Sequence, residues 1–382
     1  MCNKSEDSIL AALIYHPNYH AVEHVFNFSS AKDALPMFSC RSLKLVCAAL
    51  CLSSSFAVSA AGITHQPVGK IAEQEVRHIS TYFPGRMAGS PAELMMADYV
   101  NQRFQSMGYQ SDLRDFKTRY VYTSSEGKKD WHNVNATSVI AVKPGSTDKQ
   151  ILIVAHLDTY TPMSDSDVNH NLGGLTLQGV DDNASGVGVM LELAERLRSV
   201  KTKATIRFLA LSAEELGSKG AENYLSRMSK ADKDNTLLVI NLDSLITGDK
   251  LYFHSGVNTP KAIAEKTRDR ALKLAKRFGI SAAINNGHGE HSPKGTGCCS
   301  DHMTFDAANI PVLAVEASNW SLGKKDGYQQ TSKNTHFPEG TTWHQPQYDN
   351  LQYLDKHLPG RIKSRTRDSV RILLPLVEEV AK

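Results

Sequence analysis

The chain carries none of the short glycine motifs that mark phosphate or acyl chemistry: no GxxxxGK[ST], no GxGxxG and no GxSxG. Nucleotide cradles and the serine nucleophile elbow are therefore without support. Charge of one sign is also lacking. Lys and Arg total 43 against 40 Asp and Glu, leaving +3 with histidine neutral, so neither nucleic acid nor an anionic membrane is expected as a partner. Cysteine is scarce past residue 60. Of six, Cys2, Cys40, Cys47 and Cys51 precede it, and Cys298 and Cys299 follow in "GTGCCSDH" (295–302). These two lack the CxxC spacing of a zinc clamp, and a vicinal disulfide or two free thiols are both compatible with them. No linker, repeat or low-complexity tract interrupts residues 61–382, which are read as one domain. With 41% hydrophobic and 22% charged residues among 382, the chain has the composition of a globular protein with a sizeable core.

What is present begins with "MFSCRSLKLVCAALCLSSSFAVSAAG" (37–62). Arg41 and Lys44 precede an apolar stretch, Leu45 to Val58, that ends in Ser59, Ala60 and Ala61. That is the charged, apolar and small-residue order of a secretory signal peptide, and it is short for a membrane span. Residues 1–36 are read as an upstream extension, with cleavage expected after Ala60, export to the periplasm and no membrane anchor afterwards.

Beyond it, "GSPAELMMADYVNQRFQSMGY" (89–109) predicts a helix: Ser90 caps it, Pro91 opens it and Glu93 completes a capping box. Leu94, Ala97, Phe104 and Met107 supply its apolar stripe. Short apolar runs then alternate with helical patterns. "ILIVA" (151–155), "IRFLALS" (206–212), "LLVINL" (237–242) and "PVLAVEA" (311–317) read as buried strands. "GVGVMLELAERL" (186–197) puts Met190, Leu193, Ala194 and Leu197 on one helix face. This alternation predicts an α/β fold, a three-layer α/β/α sandwich around a mixed, largely parallel sheet. Polar insertions at 160–178 and 285–300 are read as rims over a site.

The acids sit where those strands end. His156 and Asp158 ("AHLDT") follow the first run, Glu214 and Glu215 ("AEELGS") the second, and Asp243 ("NLDS") the third; Asp181 lies in "GVDDNASG" before a helix. In open α/β sheets ligands gather outside the carboxyl ends of the strands, so residues far apart in sequence converge. His344, in "TTWHQPQYDN", is a late addition from a loop. Adjacent buried acids repel unless a cation neutralises them. His156, Asp181, Glu215, Asp243 and His344 offer two imidazoles and three carboxylates, the inventory of a two-zinc site with a bridging carboxylate. Asp182 and Asn183 are expected to cap the following helix. "HGEH" (288–291) and "DSDVNH" (165–170) are read as polar surface loops.

The motifs "AHLDT", "GVDDNASG", "AEELGSKGAENYL" and "NLDS" resemble those of zinc aminopeptidases of the bacterial leucine aminopeptidase type, across essentially all of 75–382. The resemblance implies that His156 and Asp243 hold one zinc, Glu215 and His344 the other, and that Asp181 bridges them. It implies that Asp158 fixes the imidazole of His156 and that Glu214 is the general base. The stretch after His344 departs from the family's Thr-x-x-Asp, Asp349 coming one place late, and Gly297 stands where some relatives carry a tyrosine. The partner implied is a peptide or protein N-terminus. Exported members from enteric bacteria, which the chain resembles further, imply removal of N-terminal arginine, with alkaline phosphatase as a protein substrate. Asp165, Asp167 and Asp301 are the unassigned acids that could pair with such a guanidinium. Two other functions fit the same residues: a glutaminyl cyclase, with one zinc and transfer in place of hydrolysis, and a non-catalytic ectodomain that has lost its metals.

Overall fold

The computed structural model describes residues 66–287, 293–297, 299–319, 340 and 342–382. The expected signal segment 37–60, the extension 1–36, the HGEH cluster (288–291) and Cys298 lie outside the described residues. The described residues build an eight-stranded sheet from β1 (Gln110–Thr123), β2 (Lys129–Lys143), β3 (Gln150–His156), β4 (Thr205–Leu211), β5 (Thr236–Leu242), β6 (Lys250–Ser255), β7 (Ala282–Ala283) and β8 (Val312–Ser318). Their spatial order is β1-β2-β4-β3-β5-β8-β6-β7.

The four predicted strands are β3, β4, β5 and β8, and they stand together in the middle, mutually parallel. Antiparallel β2 and β6 flank them, so the sheet is mixed with a parallel centre. All seven residues of β3 are buried, because helices cover both faces and each face needs its own apolar row. Ile151, Ile153 and Ala155 point into one core, shared with the helices Lys70–Tyr82, Ser185–Leu197 and Arg361–Ala381. Leu152 and Val154 point into the other, closed by Ala221 of the helix Lys219–Arg227 and Phe305 of the helix His302–Ala307. Helices on both faces of one sheet make the expected three-layer sandwich. Among the described residues no helix is long and apolar enough to cross a membrane.

Three local expectations need correction. The helix Pro91–Ser106 is capped by Ser90, whose hydroxyl accepts from Glu93 N at 3.2 Å. Glu93, however, does not return to the Ser90 amide. Its carboxylate accepts from Gly89 N at 2.9 Å and Thr137 N at 3.1 Å, and from the Ser212 hydroxyl, so it ties the helix to β2 and to the end of β4. Leu94 is 51% exposed, just past the edge of the buried stripe, and Met96 and Val100 take its place. "DSDVNH" is not a plain loop either: Asp165–Asn169 is a single helical turn capped by Ser164.

Candidate active site

The carboxyl ends of β3, β4 and β5 converge on one buried cluster of side chains. His156 is the last residue of β3 and only 2% exposed. Its Nδ1 lies 3.1 Å from the Asp158 carbonyl oxygen, which can only accept, so Nδ1 carries the proton and Nε2 is left to face outward. Nε2 meets Asp182 Oδ1 at 3.1 Å and Asp243 Oδ1 at 3.4 Å. His344 Nε2 meets the other oxygen of the same carboxylate, Asp182 Oδ2, at 3.4 Å, and Glu215 Oε2 at 3.1 Å. Asp182 therefore stands between two imidazoles, each with a second carboxylate of its own.

That central position is the one expected of Asp181, and the structure places Asp181 elsewhere. Its carboxylate is fully buried and turned away, accepting from Ile246 N at 2.7 Å, Thr247 N at 3.3 Å and the Thr247 hydroxyl. The reason is the turn Val180–Ala184. Asp349, also fully buried, accepts from Asp181 N at 2.7 Å and Asp182 N at 3.1 Å. With both amides held on that side, the two neighbouring side chains are sent to opposite sides. The helix-capping role expected of the pair falls to Asn183 alone, whose Oδ1 accepts from Gly186 N at 2.9 Å while its amide donates to Leu242 O at 2.9 Å.

Asp158 acts more broadly than expected. Its carboxylate is 3.6 Å from His156 Nδ1, too long for a hydrogen bond. It accepts instead from Glu214 N at 3.1 Å and Glu215 N at 3.2 Å, fixing the turn that aims both glutamates, while its carbonyl orients the histidine. Arg86 was not anticipated. It is fully buried and donates to Leu157 O at 2.8 Å, Gln178 O at 2.6 Å and Gly179 O at 2.7 Å, joining the segments that carry His156 and Asp182. Gly179 allows this approach: its φ is +54°, and a Cβ there would lie 2.7 Å from the guanidinium. Burial lowers the Arg86 pKa to about 10, against the pull of Asp349 and Asp182.

With protons as the only neutralising charges, the cluster is frustrated. Burial raises Glu215 to about 7, opposed by His344. Burial also raises Glu214 well above the usual carboxylate range, with Asp301, Glu215 and Asp243 adding to it against His156. Burial works against charge on His156 and His344, yet the carboxylates around them hold both well above an ordinary imidazole. Glu215 Oε1 is buried without a hydrogen-bond partner among the described residues. A cation resolves all of this at once, and the donors suit one. His156, Asp182 and Glu215 offer atoms within 4.8 Å of one another, and ligands about 2.0–2.2 Å from a tetrahedral zinc lie roughly 3.3–3.6 Å apart.

Both insertions read as rims reach this region. Tyr160 stacks on the His344 ring, centroids 4.1 Å apart, and Gly173 N donates to His344 O at 2.7 Å. Cys299 and Ser300 line the cavity beside the cluster, and Cys299 is disulfide-bonded. Of the acids considered for a guanidinium, Asp165 accepts from Tyr122 Oη at 2.6 Å and Ser125 N at 2.7 Å, and Asp167 from Met163 N at 2.7 Å. Both hold the rim together. Asp301 is fully buried and does not line the cavity.

The chain is 57% identical over 335 residues to the alkaline phosphatase isozyme conversion protein of Escherichia coli K12, covering 88% of this chain and 97% of that one. An aminopeptidase of Bacillus subtilis is 28% identical over 219 residues, 56% of this chain and 42% of its own length. Among solved structures, a zinc aminopeptidase from Bacillus subtilis matches with a TM-score of 0.61 at 15% identity, covering 83% of this chain and 96% of that one. The glutaminyl cyclase of Fimbriiglobus ruber matches with a TM-score of 0.59 at 17% identity, over 84% and 97%. These last two establish the fold. The model of peptidase family M28 matches residues 138–370, more than half of the chain and the whole span from β2 to the last helix that carries the cluster, and the chain belongs to that family.

Proposed function

We propose that this chain is an exported two-zinc aminopeptidase that removes N-terminal residues, arginine foremost, from peptides and proteins, alkaline phosphatase among them. That it is a metallo-aminopeptidase follows from its family and relatives. The two-ion centre is supported by the symmetry about Asp182. His156 Nε2, Asp243 and Asp182 Oδ1 would hold one ion, and His344 Nε2, Glu215 and Asp182 Oδ2 the other. A single-zinc cyclase of the same fold would leave one of the two imidazole-carboxylate sets neutralised by a proton alone. A non-catalytic ectodomain would have no use for Glu214, which ligates neither position.

Bound zinc supplies Lewis-acid polarisation of the scissile carbonyl and a water acidic enough to attack near neutral pH. The chain does the rest. Asp158 holds the Glu214 and Glu215 amides and orients His156. Glu214 takes one proton from the attacking water at its carboxylate and returns it to the leaving amine nitrogen as the C–N bond breaks. Its place in the cavity beside Glu215 suits it to both halves of that transfer. Export is supported by the signal pattern before Ala61, and alkaline phosphatase as a substrate by the name and 57% identity of the Escherichia coli relative; arginine rests on the resemblance to exported members from enteric bacteria.

The test is a panel of aminoacyl-arylamides run on the purified protein with chelator, without it, and after zinc is restored. Arginine and lysine substrates should be cleaved, lost with chelator and recovered with zinc. Activity that survives chelation, or leucine outpacing arginine by about tenfold, would contradict the proposal.

A further inference from the structure

Arg207 breaks the apolar run of the strand that carries it. β4 is buried without interruption from Phe208 to Leu211. Arg207 shares the face of Leu209 and Leu211, which point into the core closed by Ala221 and Phe305. Its guanidinium is anchored on one side only. Nε donates to Gln150 Oε1 at 2.8 Å. Gln150, itself buried, is held in turn by its Nε2, which donates to Asp232 O at 3.1 Å and to Thr236 Oγ1 at 3.0 Å. The two Nη groups of Arg207 have no hydrogen-bond or ion-pair partner among the described residues. A guanidinium set into a sheet face without a carboxylate is unfavourable, and an anion that meets it there offsets the lost hydration.

Arg207 lines a cavity of about 150 Å³ together with Arg114, Tyr224, Arg227 and Asp232. Three guanidiniums stand there against one carboxylate, and that carboxylate is engaged: Asp232 accepts from Ser229 N at 2.9 Å and from the Ser229 hydroxyl at 2.7 Å. Arg114 spends its Nε on Asp112 at 2.8 Å, and Arg227 has no ion pair among the described residues. The Tyr224 hydroxyl has no hydrogen-bond partner among them either. Burial pushes that hydroxyl up, while Arg207 and Arg114 pull it down, so both cations act on the same spot. We propose that this cavity binds a phosphate group. Its volume is well below the roughly 300–1,000 Å³ of sites for drug-sized ligands, which leaves room for one tetrahedral ion and little more. A phosphate group carries about −1.5 to −2 near neutral pH, which three arginines less one aspartate balance. Its oxygens also take the paired N–H donors of arginine. Arg207 pairs across the sheet with Leu152 of β3, four residues before His156, so the pocket lies about 13 Å along the strand from the metal cluster. It is a second site, toward the amino ends of β3 and β4.

The test is calorimetry with inorganic phosphate, at fixed ionic strength, on wild type, Arg207→Met, Arg207→Lys and Arg227→Ala. Each protein is titrated zinc-loaded and again after chelation, which separates this pocket from an anion held by zinc. Wild type should bind phosphate in both states. Arg207→Met and Arg227→Ala should each weaken that binding about tenfold or more, the scale of losing a hydrogen bond to a charged group. Arg207→Lys keeps the charge without the fork and should fall between wild type and Arg207→Met. A second titration uses glycerol phosphate. Binding as tight as that of inorganic phosphate assigns the pocket to a phosphorylated ligand, and weaker binding assigns it to the free ion; both outcomes support a phosphate site. Should the Arg207 variants fail to fold, Arg227→Ala decides alone, since that side chain is exposed. The inference is overturned by phosphate that binds only when zinc is present, by no binding at about 10 mM phosphate, or by an affinity within about threefold of wild type in every folded variant.

Discussion

Replacing Asp181 by asparagine should cost stability and spare the metals, whereas the same change at Asp182 should do the reverse. Asp181 accepts from Ile246 N at 2.7 Å, Thr247 N at 3.3 Å and the Thr247 hydroxyl. Asparagine keeps one oxygen, which can stay on Ile246. Its NH₂ then faces Thr247, whose hydroxyl can turn and accept but whose N–H cannot. One hydrogen bond to a charged acceptor is lost and a buried donor is left without a partner, about 2–3 kcal/mol. At roughly 2 °C per kcal/mol for a chain of this size, the melting temperature should fall by roughly 4–6 °C. Zinc content, measured by elemental analysis after gel filtration, should stay at two ions per chain. In Asp182→Asn only one oxygen remains to serve two imidazole-carboxylate pairs, so at least one ion should be lost and activity with it. Loss of zinc from Asp181→Asn alongside full retention in Asp182→Asn would refute the assignment.

Other perturbations reach the scaffold behind the site. Glu192, fully buried, accepts from Gly69 N and Arg196 Nε at 2.7 Å and from Ala72 N at 2.8 Å, capping the helix Lys70–Tyr82 from outside. Glu192→Ala should cost about 3–5 kcal/mol in urea unfolding, as breaking a buried charge pair does; a loss under about 1 kcal/mol, the range of an exposed pair, would contradict that. Arg86→Leu strands the carbonyls of Leu157, Gln178 and Gly179, so it should cost about 3 kcal/mol or more and weaken zinc retention together. Normal zinc content in a destabilised Arg86→Leu would separate the fold from the site. N-terminal sequencing of exported protein should begin near Ala61, and a start at Met1 or Met37 would remove the proposal of export by a cleaved signal.

The middle of the sheet was legible because strands covered on both faces need near-continuous apolar runs, and β3, β4, β5 and β8 carry them. β1 escaped notice: "QSDLRDFKTRYVYT" is exposed along most of its length and shows no clean alternation. At the site, residues at strand ends were found because a strand dictates where its last side chain goes. Asp181 and Asp182 could not be told apart, since both are acids in one turn and the choice is made by Asp349, 168 and 167 residues away. Arg86 gave no signal for the same reason, its partners being carbonyls of distant segments.

The central claim is that two metal ions are held around Asp182 and that Glu214 moves the proton without binding either. Zinc content and kcat, measured on one preparation of Glu214→Gln, test it most directly. Two zinc ions per chain with kcat reduced about 10²–10⁴-fold, the range for a lost general base, is the predicted result. A variant that keeps more than about a tenth of wild-type kcat, or that loses a metal in proportion to its activity, would contradict it.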